Sequence, residues 1–261
     1  PATSLWIKNP LALFTANEQR APGGLVIEGG VIVELLGAGQ APARPVDSAF
    51  DAREHVVLPG LVNAHHHFYQ TLTRAWGPVA SVSLLDWLMT LYPVWAGLTA
   101  EQLALASRVA LAELLLSGCT TTVDQHYLFP DGLEQAIDIE VEAVRELGMR
   151  ATLCRGSMNL AKPDGGRPYR RLEQDAEVIL ADSARLIDRY HQCGDGAQIQ
   201  IALAPCSPFS VTRELMRDTA ALAEARDVRL HTHLGETPDD AAYCLRRHNM
   251  HAVDYLKSVG W

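Results

Sequence analysis

The chain has 261 residues, 48% of them hydrophobic and 20% charged, with a formal net charge of −9. That content is ample for one large core plus an appendage, while the acidic balance and the lack of any Lys/Arg run argue against a nucleic-acid polymer as partner. Five cysteines (Cys119, Cys154, Cys193, Cys206 and Cys244) show no CxxC pairing, no stretch reaches the roughly 18 apolar residues of a membrane span, and residues 1–16 lack the order of a signal peptide, so a reducing, cytoplasmic setting without a membrane is expected.

In chain order, alternating strands come first, over 4–9 and 25–34, the second folded over Gly29-Gly30 as a hairpin. Residues 1–57 read as a small β unit. Thereafter strand-like runs at 57–64, 120–124, 150–154, 198–204 and 228–234 alternate with helical runs at 100–117, 133–147, 174–191, 213–225 and 239–259, the helices showing apolar positions such as Leu103, Ala106, Ala110 and Leu114 at helical spacing. Five strand–helix repeats predict an α/β fold with a parallel sheet over 58–261. A barrel with chemistry at its C-terminal strand ends is the expected architecture, and a doubly wound open sheet is the alternative.

The first of those strands ends in His65, His66 and His67. A strand alternates its side chains between faces, so His65 and His67 point one way and can share a metal ion while His66 points elsewhere. The bland alternative is a histidine-rich turn or a tag remnant, although a tag belongs at a terminus. Near the other end, Val228-Arg-Leu-His-Thr-His-Leu-Gly-Glu236 repeats the pattern, with two histidines at period two and a carboxylate three residues after His233. Imidazole and glutamate at strand ends are the parts needed to hold a metal and move a proton.

The segment Leu58-Pro-Gly-Leu-Val-Asn-Ala-His-His-His-Phe-Tyr-Gln-Thr-Leu-Thr-Arg74, together with His231-Thr-His-Leu-Gly-Glu236, resembles the amidohydrolase superfamily, in its branch of mononuclear-metal deaminases of purines, pyrimidines and triazines. Within that branch, Gln70-Thr-Leu-Thr-Arg-Ala75, Leu84-Leu-Asp-Trp-Leu88 and Leu91-Tyr-Pro-Val-Trp95 are most similar to the 8-oxoguanine deaminases. The resemblance implies a (β/α)8 barrel at 58–261, with residues 1–57 as the N-terminal part of a β-sandwich. It implies one divalent ion on His65, His67 and His233, zinc by default and iron as the alternative, and Glu236 as the proton carrier. No lysine lies in 198–206, the region from which binuclear relatives take a carboxylated lysine, and one metal is expected accordingly. The resemblance also implies a histidine after strand six and a metal-binding aspartate after strand eight. Neither has a match, and the chain reads as the first part of a longer enzyme, ending after the fifth strand and helix.

For the substrate, Gln70 and Trp87 follow strand one. There a planar ring can stack on Trp87 while Gln70 reads its edge, or Trp87 is simply core. Asp86 reads as a solvated or capping residue. Asp124, Gln125 and His126 end strand two and either face the pocket or support it. Cys206 ends strand four, either as a pocket residue suited to a free base or as a small buried thiol. The expected function is hydrolytic deamination of a free purine base, 8-oxoguanine giving urate and ammonia. Guanine, isocytosine or an amino- or chlorotriazine are alternative substrates, and a non-catalytic scaffold or a metal store are readings of another class. A small heterocycle is the expected partner, and a homo-oligomer is compatible with it.

Overall fold

The structure, a computed structural model, describes residues 3–15, 20–160 and 172–261. The chain divides into two compact units, Pro1–Leu61 and Val62–Trp261.

In the first unit, β1 (Ser4–Lys8), β3 (Gly24–Glu28), β4 (Val31–Leu36) and β5 (Ser48–Asp51) form one sheet in the order β4-β3-β1-β5, antiparallel except for the β1–β5 pair. Strands β2 (Ala12–Leu13) and β6 (Val56–Val57) form a separate parallel pair. Gly29 and Gly30 turn β3 into β4 with φ of 58° and 83°. Positive φ at both central residues of a two-residue hairpin is what glycine supplies without strain.

In the second unit, β7 (Leu61–His66), β8 (Cys119–His126), β9 (Arg150–Ser157) and β10 (Ile199–Pro205) make a sheet in the order β10-β9-β8-β7, with β8–β9 and β9–β10 parallel. Helices α1 (Leu84–Trp95), α2 (Ala100–Leu116), α3 (Ala136–Leu147), α4 (Ala176–Tyr190) and α5 (Arg213–Arg226) intervene or follow, and α6 (Pro238–His248) and α7 (Ala252–Ser258) close the sequence of elements. Local chemistry sets their ends. Thr99 and Gln102 cap α2 reciprocally, and Gly148 ends α3 at φ 70° so that β9 can start two residues later. The core is built from Leu111, Ile137, Val141, Leu153, Ile201, Leu203 and their neighbours. At the C-terminal end of β9, a Cβ on Gly156 would collide with the carbonyl of His126 and with Tyr127, so the missing side chain is what lets β9 close on β8 beside the site.

Two expectations need correction. The fifth strand, expected at 228–234, is reduced to a single parallel bridge between Leu203 and Leu230. Leu203 N–H donates to Arg229 O and His231 N–H to Leu203 O, each at 3.0 Å, but the next donor of that ladder would be residue 205, a proline without an N–H. Instead the Thr232 hydroxyl donates to Pro205 O at 2.7 Å, and His233 N–H reaches Cys206 O. The helix expected at 239–259 is two helices, because Asn249 turns left-handed (φ 52°) and ends α6 before His251 starts α7.

Candidate metal centre and active site

Strand alternation at the end of β7 sends His65 and His67 towards one another and towards the 231–233 segment. His67 Nε2 lies 3.2 Å from His65 Nε2 and 3.1 Å from His233 Nε2. The other ring nitrogens decide the tautomers. His67 Nδ1–H donates to Gln125 O at 2.6 Å and His233 Nδ1–H to Cys206 O at 2.7 Å, so both Nε2 atoms carry bare lone pairs. His65 Nδ1 meets His231 Nε2 at 2.8 Å, and donation along that contact leaves His65 Nε2 bare as well.

Protonation does not relieve this crowding. Burial, and then the neighbouring His233, holds the His67 imidazole down to about 2, and desolvation lowers His65, His231 and His233 too. Three neutral rings thus aim lone pairs at one point, which is repulsive without a cation between them. Two imidazoles on one tetrahedral zinc ion, with Zn–N of about 2.0–2.1 Å, have their nitrogens about 3.3 Å apart. The donor set fits such an ion. His66 goes to the other face, where it lies against the Phe68 ring and feels Arg74 and Glu113.

Glu236 follows the same strand-like segment. Its backbone N–H and that of Thr237 donate to Asp240 Oδ2, at 2.9 and 3.3 Å, so the N-terminal turn of α6 fixes the glutamate's loop. Partial burial, and secondarily the Asp240 carboxylate, raises the Glu236 carboxyl above its ordinary 4.5.

One cavity of about 270 Å³ is lined by His65, His67, His233, Glu236, Gln70, Trp87 and Cys206, the seven residues expected to hold the metal, carry the proton or meet the substrate, joined by Tyr127 and Phe209, whereas Asp124, Gln125 and His126 lie outside its lining. Trp87 is half-buried and meets Trp95 edge-on at 5.1 Å, so it both packs on the core and shows a face to the cavity. Gln70 Nε2–H donates to the Tyr69 hydroxyl at 3.2 Å, which anchors its amide. The Cys206 thiol is buried and pushed up to about 12, hence protonated, while its carbonyl holds His233. Asp86 sits in the first turn of α1, where it exchanges hydrogen bonds with the N-cap Ser83.

Sequence reasoning missed His231 as the partner of His65, Asp240 as the anchor of the Glu236 loop, and the carbonyls of Gln125 and Cys206 as acceptors for the metal-facing rings. His231 carried a signal, its period-two spacing from His233. The carbonyls carried none, since every residue has one.

A parallel α/β sheet with converging neutral imidazoles beside a carboxylate is the arrangement in which a metal ion and a proton carrier act together on a hydrolysable bond. The model of the amidohydrolase family matches residues 56–261, and the chain belongs to that family. It is 68% identical over 256 residues to 8-oxoguanine deaminase of Pseudomonas aeruginosa, an alignment covering 98% of this chain and 57% of that protein. It is 32% identical over 254 residues to an isoxanthopterin deaminase of an unknown prokaryotic organism, covering 93% of this chain and 52% of that protein. Among solved structures, atrazine chlorohydrolase of Arthrobacter aurescens complexed with zinc superposes with a TM-score of 0.89 at 30% identity, covering 98% of this chain and 58% of that one. The chain therefore spans little more than half the length of these relatives.

Proposed function

We propose that the protein is a metal-dependent hydrolytic deaminase of a free purine base, with 8-oxoguanine as its substrate, and that its parallel sheet belongs to a (β/α)8 barrel. The observation that carries this reading is the convergence of three bare imidazole nitrogens beside Glu236 on the wall of a base-sized cavity. The 68% identity to a curated 8-oxoguanine deaminase supports the choice of base.

His65, His67 and His233 would hold one divalent ion, zinc first and iron second. Such an ion acidifies a coordinated water toward neutrality. Glu236 accepts a proton from the attacking water and delivers it to a ring nitrogen, which makes the adjoining amino-bearing carbon electrophilic. The water oxygen becomes the product carbonyl. One water hydrogen ends on the ring nitrogen and the other leaves with the amino group as ammonia. Trp87 offers a face to the ring, and Gln70, held by Tyr69, reads its edge. The protonated Cys206 leaves that end of the cavity small and neutral. A reducing, cytoplasmic setting suits its five free cysteines.

The test is ammonia or chloride release by the purified protein from 8-oxoguanine, guanine, isocytosine, adenosine and a chlorotriazine. Deamination of 8-oxoguanine should exceed that of adenosine by a wide margin in kcat/KM. Comparable rates on nucleosides would remove the free-base assignment, and chloride release alone would favour the triazine reading that the structural likeness to atrazine chlorohydrolase suggests.

A further inference from the structure

Between β8 and α3 lies a second polar cluster that the reaction above does not use. Asp124, His126 and Glu140 are fully buried, and their ligand atoms lie within 4.8 Å of one another. Glu140 is out of place by composition: the face of α3 that carries it is otherwise Ile137, Val141 and Val144.

The outer bonds of the cluster run in one direction. Phe68 N–H donates to Asp124 Oδ1 at 2.6 Å, and His126 Nε2–H donates to Leu128 O at 2.6 Å. The second bond leaves His126 Nδ1 a bare acceptor, 2.9 Å from Glu140 Oε1. No donor among the described residues reaches Asp124 Oδ2, either oxygen of Glu140, or His126 Nδ1. Four enclosed acceptors without a donor are strongly unfavourable, and each needs a hydrogen or a cation.

Resting on the reading of His65, His67 and His233 as metal ligands, we propose that Asp124, Glu140 and His126 form a hydrogen-bonded chain carrying two protons, Asp124 Oδ2–H to Glu140 and Glu140 Oε1–H to His126 Nδ1, and that this chain positions His67. Every acceptor is then met, and the chain runs unbroken from the Phe68 amide to the Leu128 carbonyl. Burial favours the same state, pushing the Glu140 carboxyl up to about 8 and raising Asp124 well above its ordinary value. The nearby cation, Arg155, is held by Asp182 at 3.0 Å. The link to the metal is direct in sequence. Strand β8 grips two successive residues, His67 through Gln125 O and Phe68 through Asp124 Oδ1, so tilting the Asp124 carboxyl turns the ring that Gln125 holds. These are positioning residues.

The experiment measures zinc affinity by chelator competition, metal stoichiometry and the visible spectrum of the cobalt-substituted protein, well below its melting temperature, for wild type, Glu140→Gln, Asp124→Asn and Glu140→Leu. An amide at 140 still donates to His126 and accepts from Asp124, so Glu140→Gln and Asp124→Asn should bind zinc within about threefold of wild type with an unchanged cobalt spectrum. Glu140→Leu should weaken zinc by about 10–100-fold, as loss of an outer partner typically does, and shift the cobalt bands. Wild-type affinity and spectrum in Glu140→Leu would overturn the proposal. Should that variant not fold, the infrared spectrum decides: a protonated-carboxyl C=O stretch at neutral pH that Glu140→Gln removes supports the chain, and its absence overturns it. Two ions per wild-type chain, one of them lost in Glu140→Gln, would also overturn it by showing a cation in place of the protons. Unchanged zinc binding by His67→Asn would instead refute the underlying metal assignment.

Discussion

Charge divides the labour between the imidazoles and the carboxylate at the site. The three rings must be neutral to offer lone pairs, and desolvation keeps them so. In the proposed reaction Glu236 must be ionised to accept a proton, and its environment opposes that. Because its folded-state value is raised, the ionised fraction is lost as pH falls through a value above 4.5, so kcat/KM should show an acid limb above the ordinary glutamate range. Asp240→Asn keeps an oxygen for the Glu236 N–H but removes the second cause of the shift, and the limb should move to lower pH; a limb that stays in place belongs to another group. Glu236→Gln should retain the metal, since the ring nitrogens converge without it, and lower kcat by roughly two orders of magnitude. Near-normal turnover in that variant would take Glu236 out of the chemistry.

At the scale of elements, legibility followed periodicity. Strands β7 to β10 and helices α2 to α5 were readable because apolar positions recur at strand or helix spacing, His65 and His67 because alternation at the end of β7 turns them the same way, and His233 because its period-two spacing from His231 repeats that pattern although its segment pairs only at Leu230. What escaped depends on single residues acting against that pattern. Pro205 removes the donor that would have extended the ladder to 228–234, and Asn249 accepts a left-handed turn inside an otherwise helical run. Glu140 escaped because a lone carboxylate on an apolar helix face is meaningful only once β8 shows it Asp124 and His126. That contact has a consequence for stability. Glu140 titrates near 8 in the fold against an ordinary 4.5, so between those values the unfolded chain binds fewer protons and stability falls as pH rises. His126, lowered to about 4 from 6.5, acts in the opposite sense, but only below its unfolded value of 6.5. The two therefore oppose one another up to 6.5, and from 6.5 to about 8 Glu140 is no longer opposed by His126 and acts in the same sense as Asp124, whose buried carboxyl is also raised. Thermal melts should show Tm declining across that upper window, and Glu140→Gln should make the decline shallower by removing one of the two raised carboxyls. A wild-type Tm that rises there, or a decline of wild-type steepness in the variant, would contradict the assignment.

For the whole molecule, the partition of the site is the informative feature. All three converging imidazoles, Glu236 and the cavity wall lie in residues 62–261, and none comes from the β unit of residues 1–61. An ion that binds the folded form of the second unit stabilises that unit by mass action. At free zinc of about 100 times Kd the gain is about 2.7 kcal/mol, which for a unit of this size corresponds to a rise in Tm of about 5–10 °C. Five free cysteines and ten histidines give the unfolded chain some zinc affinity of its own, which makes the upper part of that range the less attainable end. The measurement is a calorimetric melt of the purified protein after chelation and again after adding back zinc, beside the same pair for His67→Asn. The zinc-dependent rise should appear in wild type, in the transition that carries the second unit's enthalpy, and vanish in the variant. A rise of equal size in His67→Asn would place the stabilising ion elsewhere, with Asp124, His126 and Glu140 the other set of side chains among the described residues able to hold it.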